Sequence, residues 1–253
     1  MSDDSRIEIK TSREIEIMRA GGQILKEILG ELSLQVKPGL TTWDLEIAAR
    51  KLLNEKRVQP AFLGYRGYPA TLCASINREV VHGIPSAQRI LKAGDILKLD
   101  FGILYKGFYS DMALTIAVGS ADAESQRLID ATKASLDNCI QAAHTGNRLG
   151  DICHAIQKTA EEAGFSVVRE YTGHGIGRRL HESPQIPNFG LAGTGPRLRN
   201  GMVFALETMV NAGDWETKVL QDGWTVITAD GKRSAHFEHT VLITDEGPDI
   251  LTI

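Results

Sequence analysis

The sequence predicts an α/β fold of two related halves, each made of two helices followed by strands. Apolar residues recur at helical spacing in four stretches, two in each part of the chain. Between the two helix pairs, residues 96–118 have the pattern of a strand, a tight turn and a returning strand. Two separate segments also recur at one common shift along the chain, which is the pattern of an internal repeat.

The first helix is predicted from the capping-box pattern of Thr11 and Glu14, in which each side chain can accept from the other residue's backbone amide. A second helix is predicted to begin at Thr41 or Thr42, after a Pro-Gly interruption. The other predicted elements are a structured loop over residues 58–70, a strand region over 71–81, helices over about 124–144 and 149–163, and strands in most of the remainder.

Two aspartates interrupt the predicted strand pair. Asp100 follows a short apolar run, and Asp111 begins the returning strand after a turn at residues 105–108. A carboxylate in an apolar strand costs free energy unless a partner compensates it, and two like charges on neighbouring strands need a cation between them. By itself, this segment is equally consistent with two ordinary aspartates at strand ends.

The internal repeat rests on two pairs of segments with the same shift. Gly94–Asp100 reappears as Gly201–Glu207, a shift of 201 − 94 = 107, and residues 39–44 reappear as residues 146–151, a shift of 146 − 39 = 107. The acidic residues that end the first pair of segments are therefore equivalent. A pseudo-twofold axis would bring these two carboxylates together between the halves, where ligand sites are common.

Length and composition predict one globular domain over residues 1–253, with halves of about 12–125 and 126–253. The chain has 253 residues, 42% hydrophobic and 24% charged, which is ordinary for a globular protein. The net charge of −4 gives no electrostatic case for nucleic acid, and no run of about 18 apolar residues predicts a membrane span. The charged start at residues 1–8 lacks an apolar signal segment, and three cysteines without a CxxC pair suit a reducing cytoplasm.

Three further residues extend the acidic pair into a candidate metal site. His174 lies among glycines, Glu207 lies within the apolar run of residues 203–210, and Glu238 lies within the last long predicted strand. Buried strand glutamates are rare without partners, whereas His174 alone is more typical of a solvated turn. The four carboxylates carry a formal charge of −4, which two divalent cations balance. Oxygen-rich ligands with one imidazole suit Mn, Fe(II), Co or Zn, and a two-metal site activates water for hydrolysis.

Six motifs together resemble the type I methionine aminopeptidases, and the match covers about residues 10–253. The motifs are His82-Gly-Ile-Pro85, Asp100 with Asp111, Gly173-His-Gly-Ile-Gly177, His181-Glu-Ser-Pro184, Glu207-Thr-Met-Val-Asn211 and Glu238-His-Thr240. Only 207 − 174 = 33 positions separate the histidine from the first glutamate, so the chain is similar to the short bacterial form without the type II insert. The resemblance implies the pita-bread fold of creatinase and the aminopeptidases, with two pseudo-symmetric halves and a central antiparallel sheet.

The resemblance implies a role for each candidate ligand. Asp111 and Glu238 would bridge two divalent ions, Asp100 would bind one ion, and His174 with Glu207 would bind the other. Glu207 would also shuttle the proton when the activated water attacks the first peptide bond. The implied activity is removal of the N-terminal methionine from nascent proteins whose second residue is small. The implied partners are polypeptide N-termini at the ribosome. The cysteine usage favours the cytoplasm, and a monomer is the default expectation because the sequence gives no clear oligomer interface.

The resemblance also implies the substrate contacts. His181 would lie near the scissile carbonyl and His82 near the scissile nitrogen. Four residues match positions that line the methionine pocket, with core packing as the alternative role for each: Tyr65, Tyr68, Cys73 and Trp224.

The chain departs from many relatives at three positions near the pocket, and two other functions stay open. Phe62 stands where Cys is common, Leu180 where Phe is common, and His236 where Gln is common. These changes bear on the width of the pocket and not on the reaction. The alternatives are a Xaa-Pro peptidase of the same fold, which usually has a further N-terminal domain, and a binding module that has lost catalysis. All five ligand positions are filled, which argues against the binding module, and the sequence leaves the physiological metal open.

Overall fold

The computed structural model describes residues 7–253, and this range contains four α-helices and twelve strands. Residues 1–6, most of the charged start from which the lack of a signal segment is predicted, lie outside the described part. The helices are α1 (Ser12–Gln35), α2 (Thr42–Lys56), α3 (Ala123–Ala142) and α4 (Leu149–Glu162). The strands are β1 (Gln59–Pro60), β2 (Cys73–Ile76), β3 (Ile96–Tyr105), β4 (Phe108–Ala117), β5 (Ser166–Val167), β6 (Thr172–Gly175), β7 (Glu182–Pro187), β8 (Val203–Asn211), β9 (Thr217–Val219), β10 (Val226–Thr228), β11 (Ser234–Ile243) and β12 (Pro248–Ile250).

Ten of these strands form one antiparallel sheet. Its main order is β1-β3-β4-β11-β8-β6-β7, while β2 pairs with β3, β12 with β11 and β5 with β8. Strands β9 and β10 form a separate antiparallel pair. The α/β class and the large antiparallel sheet predicted from the sequence are therefore confirmed.

The internal repeat is visible in where the elements begin. Helix α2 begins at Thr42 and α4 at Leu149, a difference of 149 − 42 = 107 positions. Strand β3 begins at Ile96 and β8 at Val203, a difference of 203 − 96 = 107. The two halves meet where β4 of the first lies beside β11 of the second. Side chains on β3, β4, β11 and β8 therefore come together at the junction of the halves.

Each half has an apolar core of its own. Leu25 of α1 and Leu99 of β3 belong to the first core, and Leu136 of α3, Ile156 of α4 and Leu206 of β8 belong to the second. The two strand leucines are equivalent under the repeat, since 206 − 99 = 107. Full burial of one such side chain stabilises the fold by about 1.5–3 kcal/mol, so these cores hold the sheet rigidly behind the junction.

The helix starts follow the local sequence closely. Thr11 and Glu14 form the predicted capping box at the start of α1, and Thr41 with Asp44 forms a second one at the start of α2. These reciprocal bonds satisfy amide groups that the helix itself leaves unpaired. Within residues 7–253, no helix combines the length and apolar character needed to cross a bilayer.

The strand region predicted over residues 71–81 is shorter than expected. Strand β2 ends at Ile76 because Asn77 turns the chain in a left-handed conformation, with φ of 53°. Val80 and Val81 then exchange backbone hydrogen bonds with Val226 instead of continuing along β3. The resulting loop leads to His82.

Candidate metal centre and substrate pocket

Five neighbouring strands each carry one ligand-type side chain. Strand β3 carries Asp100, β4 carries Asp111, β11 carries Glu238, β8 carries Glu207 and β6 carries His174. These strands are consecutive in the sheet, in the order β3-β4-β11-β8-β6. The topology thus brings all five residues singled out in the sequence to one cavity, although they are spread over both halves of the chain.

The ligand-type atoms are close enough to share a cation. One such atom from each of Asp111, His174 and Glu238 lies within 4.8 Å of the other two, and Glu207 Oε1 lies 3.9 Å from His174 Nε2. Asp100 Oδ1 and Glu238 Oε1 are buried and have no hydrogen-bond partner among residues 7–253. Buried carboxylate oxygens without a partner are costly, and a metal ion is a natural partner for them.

Burial raises the pKa of all four carboxyl groups. It raises the pKa of Asp100 to about 7. The pKa values of Asp111, Glu207 and Glu238 are raised well above their ordinary values, first by burial and then by the negative charges of the neighbouring carboxylates. Four such groups cannot all be ionised at neutral pH without a nearby positive charge. The donor set therefore fits divalent metal ions.

His174 is held in an orientation suited to binding a metal. Its Nδ1 lies 2.9 Å from the carbonyl oxygen of Gly175, and burial lowers its pKa to about 3, so the ring is neutral. The Nδ1–H donates to this carbonyl, which leaves the lone pair of Nε2 facing the carboxylates. A Cβ at Gly175 would lie 2.2 Å from the carbonyl oxygen of Ser183, which explains why glycine follows the histidine.

An apolar pocket adjoins the ligand cluster. Its apolar walls are formed by Phe62, Tyr65, Tyr68, Cys73, Val81, Leu180 and Trp224. The ring of Tyr68 meets Trp224 edge-on with centroids 5.1 Å apart, and its hydroxyl lies 3.1 Å from the Leu72 carbonyl oxygen. Cys73 of β2 is the cross-strand neighbour of Asp100, so the pocket ends directly at the ligands. All four residues that the sequence analysis assigned to the methionine pocket line this cavity.

Two histidines lie at the same cavity. His82 has a left-handed backbone with φ of 59°, and its ring meets Trp224 edge-on at 6.1 Å. His181 has its Nδ1 2.8 Å from the Tyr65 hydroxyl, and its ring centroid lies 4.2 Å from that of His174. Burial lowers the pKa of each to about 4, so both rings are neutral at pH 7.

The sequence analysis missed a buried ion pair that involves Glu182, the residue after His181 in the chain. Lys10 Nζ lies 2.5 Å from Glu182 Oε2, and only 3% of each side chain is exposed. Glu182 also accepts from the backbone amide of Arg179 at 3.1 Å. Because the two partners are 172 positions apart, no local pattern in the sequence could have identified the pair.

Lys98 is a further buried group that was missed, and His236, noted in the sequence only as a departure from many relatives, is buried as well. The Lys98 side chain is buried, and its Nζ donates to the carbonyl oxygens of Asn77 and Ser234 at 2.8 and 2.9 Å. Burial lowers the pKa of Lys98 to about 7, and burial lowers that of His236 to about 3. The signal in the sequence that pointed to His236 was the run of polar residues at alternate positions 234, 236 and 238, which a strand places on one face.

The chain is similar to known metallopeptidases over nearly its whole length. The sequence profile of metallopeptidase family M24 matches residues 16–245. A methionine aminopeptidase of Clostridium perfringens is 48% identical over 245 residues, which cover 97% of this chain and 98% of that protein. Methionine aminopeptidase 1 of Bacillus subtilis is 48% identical over 243 residues, with 96% and 98% covered.

Two solved structures show how far the likeness in shape extends. The crystal structure of methionine aminopeptidase from Thermotoga maritima matches with a TM-score of 0.96 and 48% identity, over 98% of this chain and 99% of that one. A prolidase from Pyrococcus horikoshii matches with a TM-score of 0.77 and 22% identity, over 97% of this chain but 63% of that one. The second likeness shows a shared fold alone.

Proposed function

The chain belongs to metallopeptidase family M24 and, within it, to the methionine aminopeptidases, and on this basis we propose that it removes the N-terminal methionine from polypeptides whose second residue is small. The observation that carries the proposal is the row of five ligand-type side chains at the end of an apolar pocket. An unbranched apolar side chain suits the pocket, and the bond that follows it would then lie beside the ligands.

The enzyme uses a divalent metal, and we propose that it binds two ions. Asp111 and Glu238 would bind both ions, Asp100 one of them, and His174 with Glu207 the other. The balance between four carboxylates and two divalent charges supports this number, and the ligand chemistry admits Co, Mn, Fe(II) or Zn. When bound, the ions supply an activated water and polarise the carbonyl group of the scissile bond.

The side chains around the ions are proposed to transfer the proton and to form hydrogen bonds with the scissile peptide bond. Glu207 is the proposed proton shuttle between the attacking water and the leaving amino group. If the Tyr65 hydroxyl donates to His181 Nδ1, the Nε2–H of that histidine is available to donate to the scissile carbonyl oxygen. His82, at the other side of the cavity, would contact the scissile nitrogen. Burial keeps both rings neutral, so each can donate one hydrogen bond without charging first.

The methionine side chain is proposed to lie among Tyr65, Tyr68, Cys73 and Trp224. Phe62 and Leu180 belong to the same walls, so the two exchanges relative to many family members shape this cavity directly. The hydroxyl contact of Tyr68 with backbone carbonyls holds one wall in place, which favours a pocket of fixed width.

We further propose one catalytic domain, with halves of about residues 12–125 and 126–253 that share the site. The proposed setting is the cytoplasm, where a monomer would act on nascent chains at the ribosome. The placement of ligands on strands from both halves supports a single functional unit, because neither half holds the whole set.

The deciding experiment compares short peptides after metal is removed and restored. Metal-free enzyme would be incubated with Met-Ala-Ser, Leu-Ala-Ser and Ala-Pro peptides, with and without added Co(II), Mn(II), Fe(II) or Zn(II). We expect release of methionine from Met-Ala-Ser only when metal is present, and little release from the other two. Preferred cleavage of Ala-Pro would favour the Xaa-Pro peptidase, and metal-independent peptide binding without turnover would favour the binding module.

A further inference from the structure

His236 is a buried histidine beside the ligand cluster that has no hydrogen bond. Only 1% of its side chain is exposed, and neither ring nitrogen has a partner within residues 7–253. Its backbone is fixed on both sides, because its amide donates to Thr115 Oγ1 at 2.9 Å and its carbonyl accepts from the same hydroxyl at 2.8 Å. A buried imidazole whose nitrogens have no hydrogen-bond partner costs free energy unless a neighbouring group can pair with it.

The ring faces two of the candidate ligands. His236 Nε2 lies 3.5 Å from Glu207 Oε2 and 4.0 Å from Glu238 Oε2. On the other side of Glu207, His174 Nε2 lies 3.9 Å from Oε1. The carboxylate of Glu207 therefore lies between two imidazoles, with one near each oxygen atom.

The two possible tautomers of His236 differ in what they leave unpaired. A proton on Nε2 points at the Glu207 carboxylate, and a small rotation shortens 3.5 Å to an ordinary hydrogen bond. The nitrogen left without a bond is then Nδ1, an acceptor, and an unpaired buried acceptor is better tolerated than an unpaired N–H. The other tautomer would bury an unpaired N–H and turn a lone pair toward a carboxylate.

We propose that His236 is a positioning residue that donates its Nε2–H to Glu207 Oε2 and so orients this carboxylate toward the metal centre and the substrate. The proposal rests on the proposed function, in which Glu207 both binds a metal ion and moves a proton. One oxygen is then held by His236, and the other is left for the ion and the proton. Hydrogen bonds of this kind to ligands of a metal commonly raise metal affinity by about 10- to 100-fold.

Three variants test the role through metal affinity. His236→Leu removes the donor, and His236→Gln keeps an N–H donor on a side chain of similar reach. His239→Leu removes a half-buried histidine of the same strand whose Nδ1 lies 2.9 Å from Thr252 Oγ1 instead. Binding of Co(II) to metal-free protein would be measured by calorimetry. We expect His236→Leu to weaken binding by about 10- to 100-fold, while His236→Gln and His239→Leu stay near the wild-type value.

A second measurement uses the unaltered enzyme and so does not depend on how a variant folds. ¹⁵N-histidine NMR of Zn(II)-loaded protein distinguishes a protonated Nε2 from a protonated Nδ1. We expect His236 to carry its proton on Nε2, with Nδ1 bare. A bare Nε2 would mean that this nitrogen donates no hydrogen bond to Glu207 and would overturn the proposal, and so would unchanged Co(II) affinity in folded His236→Leu. In both cases cleavage of Met-Ala-Ser would persist. The proposed function would then remain supported, and only the positioning role of His236 would be refuted.

Discussion

Glu207 and Glu238 are direct cross-strand partners in the antiparallel pair of β8 and β11. Two like charges placed opposite each other destabilise a sheet, and burial makes the effect larger. Burial raises the pKa of both groups, and the neighbouring carboxylates raise them further. This register therefore destabilises the folded state unless cations neutralise the carboxylates. The stability of the fold is thus coupled to metal binding.

The first prediction is that the free energy of unfolding of the metal-free protein falls as pH rises, because the carboxyl groups of the cluster lose their protons. The pKa of Asp100 is about 7 in the folded state, against an ordinary value of 3.8. A raised pKa means that the folded state binds more protons between these values, so stability falls as pH rises from about 4 to 7. Asp100→Asn should remove part of this slope. Urea unfolding of both proteins at pH 5 and pH 7.5 would show it, and an equal slope in the variant would contradict it.

The second prediction concerns the proposed bridging ligands. Asp111→Asn and Glu238→Gln keep the size of each side chain but remove a negative charge and a strong donor oxygen. Both should lose nearly all activity and at least one equivalent of bound metal, measured by elemental analysis after dialysis. Asp137→Asn is the matched control, because Asp137 is an exposed aspartate on α3 that pairs with Lys133. Full metal content with normal turnover in either variant would show that the ligand is misassigned.

The third prediction separates substrate contacts from metal ligands. His82→Ala and His181→Ala should keep their metal but turn over more slowly, because each loses a hydrogen bond to the transition state. The expected cost is roughly 2–4 kcal/mol in kcat/KM for each. Substitution of the exposed His154 on α4 by Ala should change neither quantity. If metal content drops in one of the two site variants, that histidine is a ligand instead.

Much of this architecture could be predicted because its signals are local or periodic. The capping box of Thr11, the alternating strand of β4 and the shift of 107 positions each follow from spacing along the chain. The four acidic ligand-type residues were identified for the same reason, since a carboxylate in an apolar strand stands out from its neighbours, and His174 was added because it lies among glycines. The structure places them on adjacent strands, as the equivalence of Asp100 and Glu207 suggested.

The groups that were missed depend on contacts between distant segments. Lys98 lies within the mainly apolar strand β3, two residues before Asp100, and its acceptors belong to residues 21 and 136 positions away. Lys10 meets Glu182 across most of the chain. His236 was noticed as an unusual residue, but its relation to Glu207 is a distance between side chains on two strands. Periodicity places a residue on a face, and it does not say which partner that face will meet.

The fourth prediction follows from the buried ammonium of Lys98. Burial lowers its pKa from 10.5 to about 7, so between these values the unfolded state binds more protons and stability rises with pH. Lys98→Met lacks this titration. The stability of wild type relative to the variant should therefore increase between pH 7 and pH 9.5, measured by urea unfolding of metal-loaded protein. A difference that stays constant with pH would show that the buried lysine keeps its ordinary pKa and would contradict the prediction.

The fifth prediction concerns the second residue of the substrate. The ligands lie on strands that are pinned by the sheet; for example, the Asp111 amide donates to Thr240 Oγ1 at 3.0 Å. With the methionine side chain in the pocket, the scissile carbonyl must reach ions fixed by these strands, so the next side chain is pressed against the cavity wall. A bulky side chain can fit only by moving the carbonyl, and misplacement by about 1 Å can cost on the order of 10²-fold in rate.

Met-Ser and Met-Ala peptides should therefore be cleaved far faster than Met-Leu and Met-Lys peptides, with the difference mainly in kcat. Purified enzyme, one metal at a fixed concentration and measurement of released methionine are sufficient. Comparable rates for Met-Ser and Met-Leu would refute a narrow site, and a difference confined to KM would show that bulky residues bind poorly without misplacing the carbonyl.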